Sequence, residues 1–261
     1  MLTIENVSKR FADGTTALHG VDLQAAEGEI VVIVGGSGCG KSTLLRLAAG
    51  LDTPTSGSVR LDGEPIRGPH PEVGMVFQEP RLMPWLTVAG NVAFGLDHLP
   101  RPERRQRVAE ALHAVGLDRF ADALPRQLSG GMAQRAALAR ALVTRPAVLL
   151  MDEPFSALDA LTRERQQDHL LEVWAQQRPT LVLVTHDVDE ALALADRVVV
   201  MRGHGAGIAK VFHVPLDRPR RRTGEAFQRL KEKVLAKLHA TVARSTSLVR
   251  EVTPLEPRRV A

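Results

Sequence analysis

Apolar residues along the chain fall into short continuous runs that are separated by segments of helical periodicity. The runs Ile30 to Val34, Ala147 to Met151 and Leu181 to Val184 have strand length without alternation, so we predict strands buried on both faces. Strands that alternate with helices favour a mainly parallel sheet covered by helices. The other elements predicted in this series are the strands Ser58–Leu61, Val73–Phe77 and Arg197–Met201 and the helices Lys41–Ala49, Ala133–Val143, Leu161–Gln177 and Asp187–Ala195.

Two regions depart from this alternation. Leu2 to Val7 alternates apolar and polar residues, and Asp13-Gly14 marks a turn before Ala17 to Leu23, so we predict a small antiparallel sheet there. Between Gln78 and about Leu128 the pattern becomes helical. The predicted fold class is α/β, with a mainly parallel sheet, an N-terminal antiparallel β subdomain and a helical insertion subdomain at about 79–128, which contains predicted helices over Val88–Leu96 and Glu103–Val115.

The last part of the chain has a different character. From Leu216 onward there are twelve Lys and Arg against five Asp and Glu, so the tail carries +7 and the remainder −3 of the net charge of +4. Phe227, Leu230, Val234 and Leu238 have helical spacing. We predict a main domain over 1–215 and a basic helical tail over 216–261 that is an appendage to it. The favoured interpretation of this tail is a solvated charged helix, and the alternative is a surface that binds anionic lipid.

A glycine-rich loop links the strand Ile30 to Val34 to the next helix. It reads GGSGCGKST and matches G-x-x-x-x-G-K-[ST], whose glycines let backbone N–H groups form a cradle for phosphate at a helix N-terminus. Lys41 is expected on the β- and γ-phosphates and Ser42 on Mg²⁺. A glycine-rich turn without a ligand is the disfavoured alternative. The core is thus predicted to be that of a P-loop NTPase, with phosphate-binding residues Gly35, Gly36, Ser37, Gly38, Cys39, Gly40, Lys41, Ser42 and Thr43.

Composition excludes several classes of protein. The apolar runs are shorter than the ~20 residues of a membrane-spanning helix, and no secretory signal is evident, so we expect a cytoplasmic protein. With 3% aromatic residues and no Tyr, we expect no nucleic-acid partner. Cys39 is the single cysteine, so no internal disulfide can form; it is either a small loop residue or, as the minor alternative, a reactive thiol.

Polar residues follow three of the predicted strands at one edge of the sheet. Asp152 suits a second Mg²⁺ contact, and Glu153 can polarise an attacking water, although it can also be a solvated acid. His186 can donate to a γ-phosphate oxygen, and Gln78 can contact both Mg²⁺ and the attacking water. As isolated residues, His186 is more often a core or surface residue and Gln78 carries no signal.

Two further features involve ligand binding. Ser129-Gly130-Gly131 opens a predicted helix and can form a second anion site, which would suit a ligand shared between two chains; the alternative is an ordinary capped helix. Phe11 precedes the Asp13-Gly14 turn, where an exposed ring can stack on a nucleobase. A partly buried strand-end Phe is an equal alternative.

Together these motifs resemble the ATP-binding cassette (ABC) subunit of a transporter over about residues 1–215. The ordered set is the phosphate loop, Gln78 as a Q-loop, the signature Leu128-Ser-Gly-Gly-Met, Asp152-Glu153, Ser156-Ala-Leu-Asp159 as a D-loop, and His186. The resemblance implies a head-to-tail homodimer with two ATP between the phosphate loop of one subunit and the Ser129 helix of the other. It implies that Glu153 is the general base, His186 the γ-phosphate sensor and Phe11 the adenine-stacking residue, where the family usually has Tyr. The predicted site is therefore catalytic Glu153, His186 and Gln78; metal-binding Ser42, Gln78 and Asp152; and nucleotide-binding Phe11, the phosphate loop, Ser129, Gly130, Gly131 and Asp159.

Met132 departs from this family pattern, since it replaces the usual signature Gln.

The segment Glu79-Pro-Arg-Leu-Met-Pro-Trp-Leu-Thr-Val is similar to that of importers of nitrate, aliphatic sulfonate and taurine, and the Arg-Pro-Arg-Arg segment of the tail is similar to the sulfonate members. Family membership implies that the loop Gln78 to Trp85 receives a cytoplasmic helix of a membrane permease.

We therefore expect the peripheral ATPase of a bacterial importer, on the cytoplasmic face of the inner membrane, using ATP and Mg²⁺. A permease would be its direct partner and a solute-binding protein an indirect one. The expected solute is a small anion, an aliphatic sulfonate in preference to nitrate or taurine. A soluble cassette ATPase acting on DNA or ribosomes is the main alternative, and a phosphate-loop kinase would leave the Ser129 motif unexplained.

Overall fold

The computed structural model describes residues 1–156, 158–203, 205 and 207–250, with side chains along the last helix as far as Thr241. The strands are β1 (Leu2–Arg10), β2 (Thr16–Ala25), β3 (Ile30–Val34), β4 (Ser56–Leu61), β5 (Glu64–Pro65), β6 (Val73–Val76), β7 (Val148–Asp152), β8 (Thr180–Thr185), β9 (Arg197–Met201) and β10 (Ile208–His213). The helices are α1 (Lys41–Ala48), α2 (Val88–Ala93), α3 (Arg101–Ala114), α4 (Gly130–Leu142), α5 (Ala160–Gln177), α6 (Val188–Leu194) and α7 (Glu225–Arg250), with short 3₁₀ helices at Asp118–Phe120 and Pro125–Gln127.

The central sheet has six strands in the order β10-β9-β3-β8-β7-β6. All neighbouring strands from β9 to β6 pair in parallel, and β10 pairs antiparallel with β9. Every residue of β3 and β8 is buried, which is why these strands are almost entirely apolar. The predicted α/β class with a mainly parallel sheet is confirmed.

Alternate residues of the central strands point to opposite faces and join two cores. Val32 and Val34 pack with helices α2 to α7, whereas Val31 and Ile33 pack with α1 and with β1, β2 and β4. These last strands belong to the antiparallel sheet β2-β1-β4-β5, the predicted N-terminal subdomain. The sheet is thus covered on both faces, and the polar residues after its strands are confined to its edges.

The predicted helical insertion lies between β6 and β7. Helices α2 and α3 pack against each other and against α4, and the core that they form with α4 is continuous with the first face of the central sheet. The limits of this insertion at about 79–128 remain a prediction.

Strand β10 was not among the predicted elements. Its residues are half-buried or exposed on an edge of the sheet, so they lack both the continuous apolar run of a central strand and a clear alternation. It is defined by its antiparallel pairing with β9, the preceding strand, rather than by a pattern in its own residues.

The expectation that the tail is an appendage is wrong for the residues that the structure describes. Phe227 is 2% exposed and Val234 is fully buried, and both belong to the core that covers the central sheet. Arg220 Nη1 donates to the carbonyls of Leu192 (2.8 Å) and Ala195 (2.6 Å) at the C-terminus of α6. The tail therefore stabilises the main domain, although residues 251–261 lie outside the described part and the boundary at 215/216 stays a prediction.

Candidate active site

The phosphate loop (residues 35–43) connects the end of β3 to the first turn of α1. Gly40 has φ 97°, and a Cβ atom there would lie 2.4 Å from the Ala17 carbonyl oxygen. A Cβ at Gly35 would lie 2.5 Å from Cys39 Sγ. Glycine is therefore required at Gly40 by close backbone approach and by dihedral angle, and at Gly35 by the close approach of the Cys39 side chain.

Lys41 is almost fully buried beneath this loop. Its Nζ donates to the carbonyls of Gly35 (2.8 Å) and Gly36 (3.2 Å). Helix α1 has no side-chain cap at its N-terminus, so its first N–H groups are not used by a capping side chain. A positive side chain, backbone donors and a helix dipole thus converge on one loop, which is the arrangement that binds phosphate.

Cys39 lies inside the loop, and its side chain is 1% exposed. Burial raises the pKa of the thiol in spite of the nearby Lys41 charge. A protonated, buried thiol is a poor nucleophile. The geometry supports a packing role for Cys39 rather than the reactive-thiol alternative.

Asp152 is the last residue of β7 and Glu153 follows it, and the two carboxylates have different partners. Ser42 Oγ donates to Asp152 Oδ1 at 3.0 Å, and burial raises the pKa of Asp152. Glu153 has φ 43°, a left-handed conformation that is uncommon for a residue with a side chain and costs of order 1–3 kcal/mol. Its Oε2 lies 3.1 Å from His186 Nδ1. An uncommon backbone conformation and a contact with the histidine thus coincide at Glu153.

Gln78 lies across from these groups, after β6. Its Nε2 donates to Ser156 Oγ at 3.4 Å, and Ser156 Oγ donates to the Glu153 carbonyl at 3.0 Å. A cavity of about 520 Å³ is lined by Ser42, Gln78 and Asp152, together with Arg46, Phe77, Glu79, Arg81 and Ser156. The three predicted metal-binding residues therefore share one cavity.

A second cavity, of about 670 Å³, lies at the phosphate loop, and of the predicted loop residues Gly35 and Gly36 do not line it. It is lined by Phe11, Thr15, Thr16, Ala17, residues 37–43 and Glu153. Phe11 is 39% exposed, with Lys9 Nζ 5.5 Å from the ring centroid. Because the ring is accessible at the cavity wall, the geometry supports the stacking interpretation over a buried strand end.

Two predicted binding segments do not line either cavity. Ser129 is the N-cap of α4, and its Oγ accepts the Met132 N–H at 3.3 Å. Asp159 is the N-cap of α5, and its Oδ1 accepts the Thr162 N–H at 3.0 Å. Within one subunit both are ordinary capping residues, so neither completes the site of its own chain.

Sequence reasoning missed three charged residues close to this site. Arg46 lines the cavity with Asp152. Arg163 contacts Asp187, which follows His186, at 3.3 Å, and Glu190 is 97% buried beside it. No motif marks these residues, because each reaches the site through the packing of α1, α5 or α6.

The phosphate loop after β3, the carboxylates after β7 and the histidine after β8 lie at one edge of a parallel sheet, which defines a P-loop nucleotide hydrolase. The chain belongs to the ABC transporter family, whose model, described as "ABC transporter", matches residues 18–156. It is an ATP-binding ATPase in the group of importer ATPase subunits.

Three similar curated proteins are named for the import or transport of a small anion. The aliphatic sulfonates import ATP-binding protein SsuB 1 of Pseudomonas syringae is 54% identical over 91% of this chain and 96% of its own length. The nitrate import ATP-binding protein NrtD of Synechococcus elongatus is 50% identical over 79% and 77%. The bicarbonate transport ATP-binding protein CmpC of the same species is 48% identical over 85% of this chain and 35% of its own length.

Solved structures of ABC cassettes have the same fold. A dimer of the cassette MJ0796 in a post-hydrolysis state, bound to ADP and Pi, matches with a TM-score of 0.74, 35% identity and coverage of 83% and 100%. The subunit cbiO1 of Clostridium perfringens, part of the transporter complex cbiONQ, matches with a TM-score of 0.76, 31% identity and coverage of 95% and 98%. Within the described residues of the present chain, no helix has the length and apolar character needed to cross a bilayer.

Proposed function

We propose that this chain is the ATP-hydrolysing subunit of an importer for a small anion, bound to a permease at the cytoplasmic face of the membrane. The observation that carries the proposal is the Glu153 carboxylate, held 3.1 Å from His186 Nδ1 at the rim of the phosphate-loop cavity. A carboxylate beside a phosphate site can polarise an attacking water, and an imidazole beside it can contact the γ-phosphate.

The remaining residues bind and orient the nucleotide. Lys41 leaves the carbonyls of Gly35 and Gly36 for phosphate oxygens, and the N–H groups of the loop and of α1 donate to the same phosphates. The Phe11 ring stacks on the adenine. The backbone N–H donors of the loop and of α1 are in place before ATP binds, so Lys41 is the donor that has to exchange its partners.

The side chains near Asp152 fit Mg²⁺. Ser42 Oγ, the Gln78 amide and the Asp152 carboxylate supply the hard oxygen donors that this ion prefers. The part of the chain that the structure describes contains no group of three or more His, Cys, Asp or Glu that could hold a metal ion, so the ion would also need ligands from the nucleotide. Mg²⁺ bound by Ser42 and Asp152, with Gln78, would neutralise phosphate charge. Its loss by chelation is expected to abolish hydrolysis.

A homodimer would complete each site. Ser129, Gly130 and Asp159 are at the surface of the single subunit and line neither of its cavities. The dimeric MJ0796 cassette with ADP and Pi supports a ligand shared between two chains. The Ser129 helix terminus of one subunit then faces the phosphate loop of the other.

The permease is proposed to dock on the loop Gln78 to Trp85. Trp85 is 75% exposed, and Arg140 fixes the loop by donating to the carbonyls of Pro80 (2.9 Å) and Arg81 (2.8 Å). An exposed aromatic residue on a rigid loop is suited to a protein contact. The cbiO1 subunit, which is part of a larger transporter complex, supports this kind of partner.

The proposed solute is an aliphatic sulfonate, with nitrate, taurine or bicarbonate as alternatives. The Arg-Pro-Arg-Arg segment of the tail and the similarity to SsuB 1 favour the sulfonate. The solute would be selected by a binding protein and the permease rather than by this chain, so ligand binding by the neighbouring binding protein is the measurement that decides between them.

The proposed role of Glu153 as the general base of ATP hydrolysis is tested by the steady-state ATPase rate of Glu153→Gln. We expect at least a ~100-fold loss, since general base catalysis contributes about 10²- to 10⁴-fold. Glu27→Gln, at an exposed loop position, is the matched control and should keep the wild-type rate. A Glu153→Gln rate close to that of Glu27→Gln would reject Glu153 as the base.

A further inference from the structure

A second chain of contacts, besides the direct one, connects Glu153 to His186. Ser156 N–H and Oγ both donate to the Glu153 carbonyl, at 3.2 and 3.0 Å. Leu158 N–H donates to the carbonyl of Phe155, the neighbour of Ser156, at 3.2 Å, and the Leu158 carbonyl accepts from Arg163 Nη2 at 2.9 Å. Arg163 Nη1 donates to Asp187 Oδ2 at 3.3 Å, and Asp187 adjoins His186. These contacts form a closed ring around the two catalytic candidates.

Arg163 occupies a fixed position in this ring. It lies in the first turn of α5, where its N–H donates to the Asp159 carbonyl at 2.8 Å. Its side chain is 29% exposed. The two terminal nitrogens contact two different segments, one before α5 and one before α6. A planar guanidinium can hold two acceptors in one geometry, which a single ammonium group cannot do equally well.

Asp187 transmits this contact to the backbone beside His186. Its Oδ1 accepts from the N–H groups of Asp189 (2.8 Å) and Glu190 (3.2 Å), so it is the N-cap of α6. Its own N–H donates to Thr185 Oγ1 at 3.0 Å. With Oδ1 held by the cap, Oδ2 is the oxygen that contacts Arg163. A shift of Arg163 therefore moves the turn that carries His186.

Glu190 is buried beside Arg163 and Asp187. It is 97% buried, and burial, with a contribution from Asp187, raises its pKa to about 8. The acid is therefore mostly neutral at pH 7. Among the described residues, neither Glu190 Oε1 nor Arg163 Nε has a hydrogen-bond partner. The hydrogen bond of Arg163 to an acidic side chain is the one from Nη1 to Asp187.

We propose that Arg163 is a positioning residue for ATP hydrolysis, which closes the ring of contacts that holds His186 against Glu153. The inference rests on the proposed function, because Arg163 acts only through those two residues. Arg163 lines neither of the two cavities of the site. Its loss should therefore reduce kcat and leave the KM for ATP nearly unchanged.

The test compares the ATPase kinetics of the full chain in wild type, Arg163→Gln and the matched control Arg165→Gln, an exposed arginine on the same helix. We expect kcat to fall about 10-fold in Arg163→Gln with KM within twofold of wild type, since small misplacements of catalytic groups cost up to about 100-fold. Arg163→Lys keeps the charge and should have an intermediate kcat. Thermal melting of each variant measures the stability of the fold separately.

A double-mutant cycle with Asp187→Asn tests whether Arg163 affects kcat through its contact with Asp187. Asp187→Asn keeps an acceptor for the α6 cap but removes the charge that faces Arg163. We expect the double variant to have the kcat of the slower single variant, because both changes open the same ring. If Arg163→Gln fails to fold, Arg163→Lys and Asp187→Asn give the same comparison.

Three results would overturn the inference. The first is a kcat of Arg163→Gln equal to that of Arg165→Gln, even if the melting temperature falls. The second is a kcat of the double variant that is reduced by the product of the two single reductions. Both leave the proposed function intact, provided that Glu153→Gln is inactive. The third is a wild type without ATPase activity, which would overturn the proposed function and the inference together.

Discussion

Replacement of Phe227 by Ala tests whether the C-terminal helix is part of the main domain. The ring is 2% exposed and packs in the core that covers the central sheet. Removal of a buried aromatic side chain costs about 3–5 kcal/mol, which is the lost transfer energy of ~1.5–3 kcal/mol plus the cost of the cavity. Since domains are stable by only ~5–15 kcal/mol, this loss should be large and easily measured.

The assay is urea unfolding of the full chain followed by circular dichroism. Phe94→Ala is the matched control, because that ring is 57% exposed and its loss should change the unfolding free energy by at most ~0.5 kcal/mol. We expect a single transition with a lowered midpoint for Phe227→Ala. A change as small as that of Phe94→Ala would show that α7 contributes nothing to the main core and would restore the appendage interpretation.

Two further predictions follow from the site. Gly40→Ala places a Cβ atom 2.4 Å from the Ala17 carbonyl oxygen at a residue with φ 97°, so we expect the variant to lose nucleotide binding, measured by isothermal calorimetry. Gly63→Ala is the control that should keep nucleotide binding, because Gly63 also has a positive φ but no atom lies within 4 Å of the added Cβ. The pKa of Glu190 is raised from 4.5 to about 8 in the fold, so its stabilising contribution is complete below pH 4.5 and is lost as the pH rises to about 8. The unfolding free energy of the wild type should therefore fall relative to that of Glu190→Gln between these pH values, and the two curves should be parallel above pH 8. Curves that are parallel over the whole pH range would contradict a pKa of Glu190 raised by burial.

The phosphate loop and the central strands were predictable because their signals are local. β3 and β9 have the predicted bounds, and other core strands differ by one residue or two. A strand buried on both faces must be apolar throughout, and a loop that binds phosphate must contain glycine where other residues cannot fit. Requirements of this kind are visible in consecutive residues. Gln78, Asp152 and His186 have no such signal as isolated residues; they were predictable from their positions at strand ends, since the ends of parallel strands meet at one edge.

The sequence by itself therefore determined the class of fold, the nucleotide loop and the family of the chain. Tertiary structure decided the left-handed conformation of Glu153, the packing of α7 and the ring through Arg163. Each depends on contacts between residues far apart in the chain, so no local pattern reports them. The phosphate loop binds through its own backbone, whereas Glu153 and His186 are brought together only when β7 and β8 pair and α5 packs beside α6.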